Sequence, residues 1–206
     1  MKRASYILFG IAAAAGTVIL VSFSFGLFSG PELLLEDLLV FSKPVSEELV
    51  ILAIDDESLQ RLGQWPWPRA LFGRALRALD QYPPAAVGID VIFAETSRLG
   101  AADERALTAA LENLSYPVVL PAEAVPLILE SSEGPQAGRW VVPRAELTDS
   151  GTIWLGHVNL ILDYDGVVRR FPTAIAFPSL RGRPVRSFAQ EILDRAGRMI
   201  TPALPL

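Results

Sequence analysis

Three carboxylates and one guanidinium are the groups of this chain whose positions could support chemistry. Asp55 and Asp56 directly follow an apolar run, residues 49–54 (LVILAI), and Asp90 interrupts a second one, residues 87–93 (VGIDVIF). If both runs are parallel strands, Asp55 and Asp56 stand at a carboxyl end, where open sheets bind ligands. Asp90 would then lie inside the sheet, where a carboxylate needs a cationic partner or a proton. Arg69 is the nearest partner along the chain. It could close a structural Arg–Asp network that pins residues 65–69, or line a pocket for a cation or polar ligand. The structural reading comes first, because ion-pair networks perturb carboxylates without serving a function. Trp65-Pro66-Trp67-Pro68 adds two rings on a loop that its prolines hold extended. Such rings form a recognition wall or fill a hydrophobic corner. Asp55, Asp56, Trp65, Trp67, Arg69 and Asp90 are thus the candidate ligand-binding set.

Other chemistries find few residues. His157 is the only histidine and there is no cysteine, so neither a structural zinc site nor thiol chemistry is expected. A Ser–His–acid triad would need His157, yet no Gly-x-Ser-x-Gly elbow is present. The predicted role of His157 is structural, at the start of a strand, with pH sensing second. Asp163-Tyr164-Asp165-Gly166 is similar to the nucleophile motif of haloacid-dehalogenase-type phosphatases. Their lysine has no counterpart, since Lys2 and Lys43 are the only lysines. It also lacks the third ligand position and closing glutamate of an EF-hand. The residues therefore predict no catalytic group, no metal site and no cofactor. A rival class is a metal-dependent hydrolase holding Mg²⁺ on Asp55, Asp56 and Asp90, but no base or nucleophile accompanies them. Another is a structural assembly module with both tryptophans in a protein interface.

The elements that would position these residues alternate. After the first apolar run, Pro68 suits a first helical position, and Phe72, Ala75, Leu76 and Leu79 recur at helical spacing. Pro83-Pro84 ends that helix before residues 87–93, which completes a βαβ unit with parallel strands. The pattern repeats: Asp103 and Glu104 suit a helix N-terminus, Leu107, Ala110, Leu111 and Leu114 its apolar face, and residues 117–120 (PVVL) a third strand. Residues 121–150, rich in proline, glycine and glutamate, predict an irregular excursion with one short apolar piece at 140–142. Residues 157–162 and 167–171 flank Asp163-Tyr164-Asp165-Gly166, whose Asp-Gly pair is a hairpin signal. Residues 173–177 extend the meander, and Ser187 with Gln190 caps a last helix stopped by Gly197. The fold class is α/β: a mixed sheet with parallel βαβ units in the N-terminal half and an antiparallel hairpin or meander in the C-terminal half, preceded by one transmembrane helix.

That helix is predicted over residues 6–28, which hold no charge; at about 1.5 Å per residue they reach roughly 35 Å, enough to cross a bilayer core. The run is long for a signal peptide, and its small residues fall mid-segment. Lys2 and Arg3 precede it, so the N-terminus is expected in the cytoplasm and the rest outside. Residues 1–30 form the anchor, and residues 31–206 form one exported domain after an amphipathic helix at 32–41. The domain carries 16 basic residues against 23 acidic ones, a net charge of −7. That excess argues against a nucleic-acid partner and against lipid attraction through a polybasic segment. Ala12 and Gly16, four apart on the anchor, suggest a homodimer.

Longer motifs identify a family. Ala53-Ile54-Asp55-Asp56-Glu57-Ser58-Leu59, then Leu62-Gly63 and Trp65-Pro66-Trp67-Pro68-Arg69, resembles the opening block of the type-2 CHASE domain. Gly88-Ile89-Asp90-Val91-Ile92-Phe93 resembles its Gly-x-Asp-x-x-Phe block, and Asp103 its following acidic position. Gly156-His157-Val158-Asn159, Asp163 to Arg170 and Ser187-Phe188-Ala189 resemble its later blocks. The resemblance covers residues 36–197. It implies the extracellular sensory input domain of a bacterial receptor in the inner membrane, facing the periplasm or extracellular space and binding a small-molecule or protein stimulus. It also implies a non-enzymatic chain whose effector, a histidine kinase, serine/threonine kinase or nucleotide cyclase, lies outside this sequence.

Overall fold

The computed structural model describes residues 2–24, 35, 37–38, 46–128, 136–148, 152–163, 165–176 and 184–198. The chain divides into two compact units, Met1–Ile54 and Asp55–Leu206.

In the first unit, α1 spans Lys2–Ser24. Among the described residues no helix is long and apolar enough to cross a membrane. Residues 25–28 of the expected span lie outside the description. The membrane-spanning reading therefore rests on the sequence. Of the helix expected over 32–41, Leu35, Asp37 and Leu38 are described, and they are helical.

The first predicted strand is not one. Residues 49–54 carry no strand assignment, and Val50, Ile51 and Leu52 are 76%, 79% and 70% exposed. A short apolar run is compatible with a buried strand, but periodicity supplies no partner, and a strand exists only in a ladder.

The second unit is a mixed sheet between two helical layers. Its helices are α2 (Asp56–Leu62), α3 (Arg69–Leu79), α4 (Ala101–Leu111), α5 (Ala145–Thr148) and α6 (Phe188–Arg195). Its strands are β1 (Val87–Gly88), β2 (Val118–Ile128), β3 (Gln136–Val141), β4 (Ile153–His157), β5 (Ala174–Ile175) and β6 (Val185–Arg186). The first half of β2 runs parallel to β1 and to β4, and its second half pairs antiparallel with β3. β1, α4 and β2 thus form a parallel βαβ unit, as the sequence predicts. β5 and β6 make a separate antiparallel pair.

Side-chain alternation sorts the layers. Val87, Val118, Leu120, Ile153 and Leu155 point into one core with Leu76 of α3, Leu107 and Leu111 of α4 and Leu147 of α5. Gly88 and Gly156 face the opposite way, where a Cβ would meet Ile192 and Phe188 of α6. Both glycines leave room for that helix against the sheet. A smaller cluster of Ala124 and Ile175, with Trp140, joins the β5–β6 pair to the far half of β2.

The excursion expected over 121–150 is largely ordered: β2 continues through Pro121 and Pro126, then come β3 and α5. Proline breaks a strand only where its missing N–H is needed. His157 ends β4 rather than starting a strand. Among the described residues the hairpin beyond it has one bridge, Ile161 to Arg170. Its turn forms as expected: Gly166 takes φ 80° and donates its N–H to the Asp163 carbonyl at 2.9 Å.

Candidate functional site

α3 begins without a side-chain cap of its own, since its N-cap is Pro68. The cap comes from α4. Asp103 accepts the Arg69 N–H at 2.8 Å on one carboxylate oxygen and the Ala70 N–H at 2.9 Å on the other. The Ser97 hydroxyl donates to the same carboxylate at 2.5 Å. Burial pushes the Asp103 pKa up, but the Ser97 hydroxyl, the Ala70 and Arg69 amides and the Arg69 charge outweigh it and hold it below the ordinary value. These orphan donors of a helix start are where a negative group is worth most.

The Arg69 side chain is buried and engaged. Its guanidinium bonds the Glu104 carboxylate and the Glu95 carbonyl and lies 5.4 Å from the centre of the Phe93 ring. Glu104 also accepts the Ser97 N–H at 2.6 Å. Arg69 therefore sits in an ion-pair network of the structural kind, but with Glu104 and Asp103 as its acids. Asp90 is exposed and lies outside the two-residue β1, so no buried charge has to be neutralised there.

The tryptophans pack on that network. Trp65 and Trp67 have ring centres 6.2 Å apart, and each meets Phe72 of α3, at 6.1 and 6.5 Å. Phe72 in turn meets Phe93 edge-on at 5.2 Å. Trp67 is half-buried and donates its indole N–H to the Gly63 carbonyl at 2.7 Å, whereas Trp65 is 47% exposed. The loop thus fills a corner with one ring and shows part of the other.

Asp55 caps α2: it accepts the Ser58 N–H at 2.9 Å and the Ser58 hydroxyl at 2.7 Å, and these bonds lower its pKa. Asp56, in the first turn of α2, is exposed. Among the described residues no three histidine, cysteine or acidic side chains are grouped to hold a metal ion. Two grooves lie elsewhere, one of about 530 Å³ bounded by Glu104, Arg105 and Arg144, and one of about 350 Å³ bounded by Tyr116, Trp154 and Arg195. None of the six candidate residues lines either groove.

The structure gathers Trp65, Trp67 and Arg69, directly or through Phe72 and Phe93, and leaves Asp55, Asp56 and Asp90 at exposed positions. Sequence reasoning missed Ser97 and the pairing of Arg69 with Glu104. The two acids were visible as a helix start, but nothing in their spacing ties them to a residue 34 or 35 positions earlier.

A family model for the CHASE2 domain matches residues 13–204, and the chain belongs to that family. CHASE2 domains are extracellular sensory domains of signalling proteins, not catalytic ones. No curated protein and no solved structure matches the chain.

Proposed function

We propose that this chain is the extracytoplasmic input domain of a bacterial inner-membrane receptor, held by the uncharged run of residues 6–28 with its N-terminus in the cytoplasm. The stimulus, a small molecule or a protein, meets the face presented by Trp65 and Trp67, with Asp55, Asp56 and Asp90 as its polar contacts. Arg69 positions that face from below. The observation that carries this reading is the Trp65–Arg69 loop itself: one ring stays exposed while the loop is tied to two core helices through Arg69, Glu104 and Asp103. A ligand that prefers one arrangement of the loop changes how α3 and α4 pack, and differential affinity is the only means by which it can bias a receptor.

The anchor reading rests on the sequence: residues 6–28 hold no charge and are long enough to cross a bilayer core. The output domain, a histidine kinase, serine/threonine kinase or nucleotide cyclase, follows in the receptor. The test is stimulus response in the full-length receptor. Trp65→Ala and Asp90→Asn should alter it while the domain stays folded; unaltered response in both would remove the site.

A further inference from the structure

Free charge and a concave surface coincide on the outer face of α4. The groove of about 530 Å³ is bordered there by Ala101, Arg105, Thr108, Ala109 and Glu112, which recur at helical spacing, so it follows the helix axis. Its volume lies in the range of small-ligand sites. Arg105 and Glu112 stand seven residues apart, roughly 10.5 Å along that axis. Both are exposed, and among the described residues neither enters an ion pair or a side-chain hydrogen bond. On the other wall Arg144 and Glu146 already satisfy each other at 2.7 Å. The groove thus offers a free cation and a free anion, with the small side chains of Thr108 and Ala109 between them.

The helix adds a direction. Glu112 is the C-cap of α4, and the last turn holds no basic residue. A negative charge therefore stands where the helix carbonyls already point, a placement that costs helix stability. A ligand cation at that end offsets the cost.

We propose that this groove binds short peptides with free termini, about three residues long, with the carboxylate at Arg105 and the ammonium at Glu112. Three extended residues span about 10 Å, which matches the separation of the two charges. A guanidinium holds a carboxylate through two parallel hydrogen bonds. Glu104 also borders the groove, and it bonds Arg69 and the Ser97 N–H. The site therefore shares a residue with the network under the tryptophan loop. It uses neither tryptophan, so either reading can fail without the other.

The probe is tri-alanine with free termini, titrated by calorimetry into the full chain in detergent micelles. The expected result is saturable binding with Kd at or below about 1 mM. Arg105→Ala and Glu112→Ala, both at exposed positions, should each weaken it at least about tenfold. Amidating the peptide's C-terminus should weaken binding to wild type as Arg105→Ala does, and weaken that variant no further. N-acetylation should stand in the same relation to Glu112→Ala. If either variant does not fold, the blocked peptides decide. No saturable binding up to about 10 mM would overturn the site. So would binding that survives both terminal blocks, or that either folded variant leaves unchanged.

Discussion

The carboxylate of Asp103 accepts the backbone N–H of Arg69 at 2.8 Å, so α3 is capped by a residue of α4, 34 positions later. With Arg69 bonded to Glu104 next door, helix start, tryptophan loop and second helix become one unit. A cap in trans ties the loop's position to the packing of two helices.

Replacing Asp103 should therefore cost more than losing an exposed cap. Asp103→Ala should lower stability by about 2 kcal/mol, and Asp103→Asn by roughly half that. Because the folded pKa of Asp103 lies below the ordinary carboxylate value, its contribution is present above that value and fades as pH falls through the folded one. Urea melts of wild type and Asp103→Asn should converge at strongly acidic pH.

Arg69→Ala leaves Glu104 without its cation, a cost of about 3 kcal/mol when a buried pair is broken. Arg69→Lys should recover only part, because one ammonium cannot serve the Glu104 carboxylate and the Glu95 carbonyl in the forked geometry of a guanidinium. A double-mutant cycle with Glu104→Gln measures the coupling. Tryptophan fluorescence in the folded variants should red-shift as Trp65 and Trp67 lose their support.

Gly73 gives an inverted expectation. Glycine inside a helix normally costs about 1 kcal/mol relative to alanine. Here a Cβ would lie 2.9 Å from the Ala106 carbonyl oxygen, where α3 and α4 cross. Gly73→Ala should therefore destabilise, by about 1–3 kcal/mol, rather than stabilise. Thermal melts give the sign.

Tyr116 should set an alkaline limit. It is buried and donates its hydroxyl to the Leu76 carbonyl at 2.7 Å. Burial, helped by the Asp80 charge, raises its pKa from 10.0 to about 12. Between those values the unfolded chain loses a proton the folded one keeps, so stability falls as pH rises, by about 1.4 kcal/mol per unit. Tyr116→Phe should cost about 1 kcal/mol at neutral pH and lack this alkaline slope.

What the sequence disclosed was whatever local periodicity and caps encode. The apolar faces of α3 and α4, the Ser187 cap and the Asp-Gly turn all stand where their residues put them. Strand partners were not legible, because a ladder is a relation between distant segments. Residues 49–54 were expected to pair and do not, while β2 runs on through two prolines that looked like breakers. The site divides the same way. An Arg–acid network was foreseeable from Arg69, but its acids lie on a helix that spacing could not place beside it.

We propose that residues 31–206 face outward from a membrane crossed by residues 6–28. Protease accessibility of residues 31–206 in intact spheroplasts of the source cells, with a cytoplasmic protein as control, tests it most directly. The expected result is digestion of the domain while the control survives, and membrane association that resists high salt. Protection of the domain until the cells are lysed would contradict it.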